Sequence, residues 1–301
     1  MNAARLVRLA NEALESGDPA TAADRLVEAA GVHDRSGEQQ GRAALLARAS
    51  VLFRVVGRPD AAADAARTAW DTATDVVVRR SAAVELSEVA RSKGDLDTAI
   101  AWLYRALSTE DSTGRARTLV RLANLEAAAG RFAAAVQACE EAVKALDGST
   151  DATRVRLELS GALLEAGDPE RATAVLEHAM TTDDPAILAE GHLVAVAIAL
   201  RQHDKTRART SAASARSEAL RAGAAIPYLA AAAAEADLAD DRVAAYESLA
   251  KAWVTLGDLV GRDAGRAMVR PLLLDLRNRW GADAFGQAKA AYEHRRRQAT
   301  S

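Results

Sequence analysis

The chain has 301 residues; half of them are apolar, only 4% are aromatic, and the net charge is −3. The near balance of 39 basic and 42 acidic residues gives no reason to expect nucleic acid or an anionic membrane as a partner. One cysteine cannot form an internal disulfide, which fits a reducing compartment.

The apolar residues are dominated by alanine, the strongest helix former, and the chain has only six prolines, so the composition favours an all-α fold. The first residues, MNAARLVRLANEAL, place charges inside a helical pattern, which predicts a helix and not a signal peptide. The longest apolar run, IPYLAAAAA at 226–234, is far too short to span a bilayer. We therefore expect a cytoplasmic protein that does not enter a membrane.

Glycines in short polar turns recur along the chain at spacings of 40, 37, 36 and 37 residues. They are Gly17, Gly57, Gly94, Gly130 and Gly167. Alanine stands five and twelve residues after each of them, and alanine or serine stands seven residues before. When His203 and Asp240 take the glycine's place, the alanines recur again, which gives seven units of about 37 residues. The fourteen alanines are Ala22, Ala29, Ala62, Ala69, Ala99, Ala106, Ala135, Ala142, Ala172, Ala179, Ala208, Ala215, Ala245 and Ala252.

Each unit has the pattern of a helix, a tight turn and a second helix. Glycine tolerates the left-handed backbone that ends the first helix. After two of the turns, Asp18 and Asp168 are placed to cap the second helix, and a proline follows each of them in the first helical turn. The small residue before the turn and the alanine after it should face each other, because bulk at either place would push the two helices apart.

This spacing resembles the tetratricopeptide repeat, in which a small residue in helix A, a turn glycine and two alanines in helix B recur at these offsets. The resemblance covers about residues 3–256 and implies a right-handed α-solenoid of about seven repeats. The period departs from the family's 34 residues, which implies longer links between units. Helix A also lacks most of the family's bulky aromatic residues, and only Phe53 holds the tyrosine-like place four residues before its glycine.

The C-terminal segment has a different pattern and predicts two helices, at about 260–279 and 282–297, separated by Gly281. We expect residues 1–256 to form the repeat array and residues 257–301 to form capping helices, because a solenoid needs a terminal unit with a polar outer face. Pro271 should start or kink a helix. The apolar residues available to cover the last open core are Leu272, Leu273, Leu274, Leu276, Trp280 and Phe285. The alternative is that these helices pack against a second copy of the chain.

No arrangement of residues predicts catalysis. The five histidines include no metal-binding pair, and no glycine loop for phosphate follows a strand. Cys139 stands nine residues after its glycine, where other units have Leu26, Leu103 and Leu176, so it should be a buried packing residue. The aspartate pairs at 183–184 and 240–241 are best explained as helix caps. We expect no enzyme, no metal and no cofactor.

The resemblance implies that helix A lines a concave groove in which a partner is held. The residues at the inward positions ten before the turn glycine are mainly apolar, and the central units gather several arginines on the same helices. The predicted partner-binding residues are Arg54, Val84, Glu88, Arg91, Arg117, Val120, Arg121, Asn124, Arg154 and Leu157. Such a groove would suit an amphipathic helix or extended peptide, with the arginines toward an acidic segment or a C-terminal carboxylate. An ordinary solvated helix surface explains the same charges equally well.

Three functions fit this sequence. The first is a non-catalytic scaffold that binds a peptide or helix of a partner protein. The second is a regulator or sensor that acts through a separate effector protein, as similar repeats do in bacterial signalling proteins. The third is a self-assembling homodimer. The family's carboxylate clamp is incomplete here, because Ala47, Val51 and Glu88 stand where its lysine and asparagines are expected, so chaperone-tail binding is not expected.

Overall fold

The computed structural model describes residues 2–109, 114–146 and 149–299, and within these ranges the chain forms sixteen helices and no strand. The first eight are α1 (Ala3–Glu15), α2 (Pro19–Ser36), α3 (Gln39–Val55), α4 (Pro59–Thr72), α5 (Val76–Ser92), α6 (Leu96–Leu107), α7 (Arg115–Ala128) and α8 (Phe132–Ala145). The next eight are α9 (Thr150–Glu165), α10 (Pro169–Ala179), α11 (Pro185–Arg201), α12 (Lys205–Arg221), α13 (Ala225–Leu238), α14 (Arg242–Val260), α15 (Arg262–Trp280) and α16 (Ala282–Ala299). The all-α prediction is confirmed, and the helices pair as seven repeats followed by two further helices.

The helices form two compact units, α1–α8 in the N-terminal unit and α9–α16 in the C-terminal unit. Within each unit every helix packs against the next one along the chain. Contacts between second neighbours also occur, as between α3 and α5 and between α9 and α11. This consecutive packing is that of an α-solenoid. The separate prediction that 257–301 forms a cap stays a prediction, and α14 continues through Gly257 to Val260.

The turn inside each of the first six repeats has the left-handed geometry that the sequence pattern predicted for the turn glycines. The five turn glycines have φ between 73° and 88°. His203 has φ 60° and is the one non-glycine residue with positive φ in the described part of the chain. Its N–H bonds to the Leu200 carbonyl at 3.1 Å, and the next N–H bonds to the Ala199 carbonyl at 2.8 Å, the same arrangement that closes the turn at Gly17. His203 is therefore the structural equivalent of the turn glycines.

The seventh turn differs from the others. Ala239, at the end of α13, has an extended backbone with φ −60° and ψ 148°. Asp241 then caps α14 by accepting a hydrogen bond of 2.8 Å from the Ala244 N–H. Asp240 thus marks the turn but does not adopt the left-handed conformation. The other predicted caps are confirmed, since Asp18, Asp168 and Asp184 each accept a hydrogen bond from a backbone N–H in the first turn of the following helix.

The repeat alanines form the contact between paired helices, as predicted. All fourteen are at most 3% exposed, and the small residues seven before the turns are buried opposite them. At one such contact, the Ser160 hydroxyl donates a hydrogen bond of 2.7 Å to the Ala172 carbonyl. Cys139 is buried between the repeat alanines of α8, which confirms its assignment as a packing residue.

The last three helices share a core in which Leu249, Leu256, Val269 and Leu276 are buried. Pro271 lies inside α15 and so does not start a helix, and the alternative that it kinks the helix stays a prediction. Leu274 is exposed, because the helical period turns it away from the stripe that carries Val269 and Leu276. Helices α14 and α15 meet at two glycines: a Cβ added to Gly265 would lie 2.6 Å from the Gly257 nitrogen.

We expect enlargement of a repeat alanine to destabilise the fold. In α6, Ala99→Leu should lower the free energy of unfolding by about 1–3 kcal/mol, because it forces bulk between paired helices. Ala101→Leu in the same helix is the matched control, since Ala101 is exposed, and it should change stability by less than about 0.5 kcal/mol. Urea titrations followed by circular dichroism measure both; equal stability of the two variants would contradict the packing assignment.

The left-handed backbone of His203 gives a second prediction. His203→Gly should raise the free energy of unfolding by about 0.5–1 kcal/mol, because glycine adopts positive φ without steric cost. His203→Val should lower it by about 1–2 kcal/mol, since a β-branched side chain disfavours this conformation. The expected order of thermal midpoints is Gly above His above Val, and a valine variant as stable as the parent would refute the turn assignment.

Candidate partner-binding surface

The first helices of successive repeats in the N-terminal unit are joined by polar contacts at a repeating position. In each contact, the residue nine positions before the turn of one repeat donates a hydrogen bond to the residue six positions before the turn of the preceding repeat. Arg48 Nη2 donates to Asn11 Oδ1 at 3.2 Å, which joins α3 to α1. Arg121 Nη1 donates to Glu88 Oε1 at 3.4 Å, which joins α7 to α5. The same offset therefore brings side chains of neighbouring repeats into contact at two steps.

A different pair of side chains joins α3 to α5. The residue six before the turn of α3 is Val51, which cannot accept a hydrogen bond, and Glu85 pairs instead with Arg54. The second contact of this pair, from Arg54 Nη2 to Glu85 Oε2, is 3.5 Å. The Glu85 side chain is only 6% exposed. The hydrogen bond to this carboxylate raises the pKa of the Arg54 guanidinium, and burial opposes it.

Glu88 neutralises the charge of two arginines that were predicted to bind a partner, Arg91 and Arg121. Its Oε2 lies 2.9 Å from Arg91 Nη2 on the same helix, and its Oε1 accepts from Arg121. Arg117 lies one helical turn before Arg121, is exposed, and has no ion pair within the described residues. The predicted basic patch is therefore largely neutralised by its own helices, and Arg117 is the cation that remains available to a partner.

Exposed apolar side chains lie beside these charges on α3. Val55 is 63% exposed, and Val51 one turn earlier is also exposed. The predicted apolar stripe is less accessible, because Val84 and Val120 are half-buried. We call the surface that side chains of α1, α3, α5 and α7 form together the first-helix face. Its residues are Asn11, Arg48, Val51, Val55, Glu88, Arg91, Arg117, Arg121 and Asn124.

Two predicted residues belong to the C-terminal unit and not to the first-helix face. Arg154 is exposed, with its Nε 3.8 Å from Glu190 Oε2 of α11. Leu157 is 4% exposed, so it does not line an open wall. Its methyl group lies 3.5 Å from the place of a Cβ added to Gly191, which shows that Leu157 packs between α9 and α11. Burial therefore removes Leu157 from the accessible surface.

Comparisons with known proteins bear on the repeat. A family model described as "Tetratricopeptide repeat" matches residues 126–189. The solved structure of the C-terminal part of a TPR repeat-containing protein from Cytophaga hutchinsonii has a TM-score of 0.57 and 17% identity, and the match covers 84% of this chain and 95% of that one. The tetratricopeptide-repeat prediction is confirmed.

Other solved structures with the same likeness are also distant in sequence. BtubC from P. vanneervenii is 20% identical with a TM-score of 0.53, over 72% of this chain and 91% of that one. The apo form of RapI is 11% identical with a TM-score of 0.55, over 99% of this chain and 98% of that one. No curated protein gives a significant match. At these identities the likeness establishes the fold alone.

Within the described ranges of the chain, no group of histidine, cysteine, aspartate and glutamate could hold a metal ion. No helix in those ranges is both long and apolar enough to cross a bilayer. His192 lies half-buried on α11, and burial lowers the pKa of its imidazole.

The Arg54–Glu85 pair and the Arg91–Glu88 pair should differ in their effect on stability. Arg54→Met leaves the buried Glu85 carboxylate without its partner and should cost about 1.5–3 kcal/mol. Arg91→Met makes the same chemical change at an exposed pair and should cost about 0–1 kcal/mol. Urea unfolding of the two variants measures the difference. Equal losses would mean that burial of Glu85 does not govern the contact between α3 and α5.

Proposed function

We propose that this chain is a non-catalytic scaffold that holds a helix or extended peptide of a partner protein on the first-helix face. The observation that carries this proposal is the exposure of Val51 and Val55 on α3, together with the ion pairs that Glu88 makes with Arg91 and Arg121 on the neighbouring first helices. A partner's apolar side chains would cover the valines, and the charged side chains would form the polar rim that interfaces usually have. A cytoplasmic setting belongs to the same proposal and fits the single cysteine.

The partner is expected to carry an acidic residue opposite Arg117. A carboxylate that approaches Arg91 or Arg121 must compete with Glu88, which already binds both. Arg117 has no carboxylate partner within the described residues, so a partner's carboxylate can form a charge-assisted hydrogen bond with it without displacing another. Arg54 and Glu85 act differently, since their pair joins α3 to α5 and thereby positions Val51 and Val55.

The test is quantitative capture of partners from the native cytoplasm by the immobilised full-length chain. Val55→Glu and Arg117→Glu should each reduce recovery of a specific partner by about tenfold, because one places a charge in an apolar contact and the other reverses the expected attraction. Both residues are exposed and neither is part of an ion pair that the structure describes, so circular dichroism should show unchanged helicity.

Val27→Glu is the matched control for the valine substitution. Val27 is also exposed in the N-terminal unit but lies on α2, the second helix of its repeat. We expect it to leave partner recovery unchanged. If Val55→Glu and Arg117→Glu retain every partner of the parent chain, the first-helix face is not the binding surface.

A further inference from the structure

Two tryptophans of the N-terminal unit pack against each other between the second helices of two successive repeats. Trp70 of α4 and Trp102 of α6 stand edge to face, with 5.5 Å between their ring centroids. Trp102 is 3% exposed and belongs to a core cluster with Ala66 and Leu86. Both tryptophans are on second helices, so they lie apart from the residues of the first-helix face.

Two exposed arginines hold their guanidinium groups over the same buried ring. The guanidinium carbon of Arg67, on α4, lies 4.5 Å from the centroid of the Trp102 ring, and that of Arg105, on α6, lies 4.3 Å from it. The two cations are therefore no farther apart than the sum of these distances. A guanidinium that stacks on a ring by its plane keeps the N–H groups at its edge available for hydrogen bonds. We call Arg67, Arg105 and Trp102 the arginine–tryptophan site.

Neither arginine of this site has a carboxylate partner among the residues that the structure describes. Another stacked arginine of the same unit does have one, since Arg58 lies over the Phe53 ring and its Nη1 is 3.0 Å from Asp24 Oδ1. Two like charges held beside one ring repel each other when no carboxylate lies between them. An anion bound to both guanidinium groups would remove this repulsion.

Charged side chains beside the site leave both guanidinium groups accessible. Arg79 of α5 adds a third cation, 5.8 Å from the centroid of the Trp70 ring, and donates a hydrogen bond of 2.7 Å to the backbone carbonyl that follows α4. The aspartates one turn before and one turn after Arg67 are Asp64 and Asp71. Both are exposed, and neither forms an ion pair within the described ranges. These carboxylates therefore weaken the attraction for an anion without occupying the arginines.

We propose that the arginine–tryptophan site binds a phosphoryl group, either on a phosphorylated residue of a partner protein or as free phosphate. A phosphate monoester carries a charge of about −1.5 to −2 at neutral pH and has three terminal oxygens, which matches two guanidinium groups. Different oxygens can accept from Arg67 and Arg105, each with the paired N–H groups that suit phosphate. A carboxylate carries one charge and two oxygens, so it matches only one of them. This assignment does not depend on the proposed function of the first-helix face.

The probes are inorganic phosphate and a peptide library with one phosphoserine at a fixed central position, each tested on the full-length chain. The same library without the phosphate is the reference, and affinities come from ³¹P NMR for phosphate and from fluorescence anisotropy for peptides. Arg67→Gln and Arg105→Gln should each weaken binding by about tenfold, because each removes a charge-assisted contact. The lysine variants at both positions should weaken it by about threefold, since charge remains but the planar fork is lost. Asp71→Asn should strengthen it by about twofold, because a nearby negative charge is gone.

Arg35→Gln is the matched control, since Arg35 is also exposed on a second helix of this unit, α2, and its substitution removes the same charge away from Trp102. It should leave affinity unchanged. Circular dichroism checks that each variant is folded; if the glutamine variants unfold, the lysine variants and Asp71→Asn decide.

Binding of phosphopeptides that depends on both arginines would support the proposal and assign the site to a partner protein. Saturable binding of inorganic phosphate alone, with the same dependence, would support it with free phosphate as the ligand. The proposal is overturned if neither probe binds saturably, if unphosphorylated peptides bind equally well, or if Arg67→Gln and Arg105→Gln lose no more affinity than Arg35→Gln. Phosphopeptides lost on Val55→Glu but retained on Arg67→Gln would belong to the first-helix face and would also overturn it.

Discussion

The close approach of the two helices in each repeat is the constraint on which the rest of the structure depends. Small side chains on both sides let the two backbones meet, and the Ser160 hydroxyl reaches the Ala172 carbonyl across that contact. An interface built from alanine buries little apolar area per residue, so each pair gains only modest stability from burial. The fold must therefore accumulate stability from one repeat to the next through neighbour contacts.

The same constraint places the large polar side chains outside and fixes the distances between them. Because neighbouring first helices lie close, arginines of one repeat reach acceptors of the preceding one, and the offset recurs at Arg48 and Arg121. Most of these pairs are exposed and contribute little to stability. Their larger effect is on the charge of the surface, because they neutralise most of its arginines locally. The first-helix face is therefore distinguished by the exposed Val51 and Val55 and by Arg117, which makes no ion pair with a described residue, and not by its net charge.

The features that the sequence predicted are those encoded within about one repeat. The turn glycines, the alanines and the buried Cys139 follow from local spacing, and even His203 could be placed because its neighbours keep the pattern. The features that were missed depend on contacts between distant positions. Glu85 becomes the partner of Arg54 only when α3 and α5 are packed together, and Leu157 is buried only because Gly191 of the next repeat makes room. Pattern within one helix contains no information on either contact.

The aromatic packing of the C-terminal unit did leave a signal in the sequence, although the repeat pattern concealed it. Six of the eleven aromatic residues of the chain lie between positions 228 and 292; they are Tyr228, Tyr246, Trp253, Trp280, Phe285 and Tyr292. Alanine-rich contacts work where a following repeat supplies the opposite surface. In the C-terminal unit larger side chains pack among α14, α15 and α16, where the ring of Tyr246 stands edge-on to Phe285 at 5.5 Å between centroids. Rings that come from α14, α15 and α16 cannot interlock as small alanines do, so their packing leaves a cavity between them. The change from alanine contacts to aromatic contacts thus accounts physically for the cavity among α14, α15 and α16.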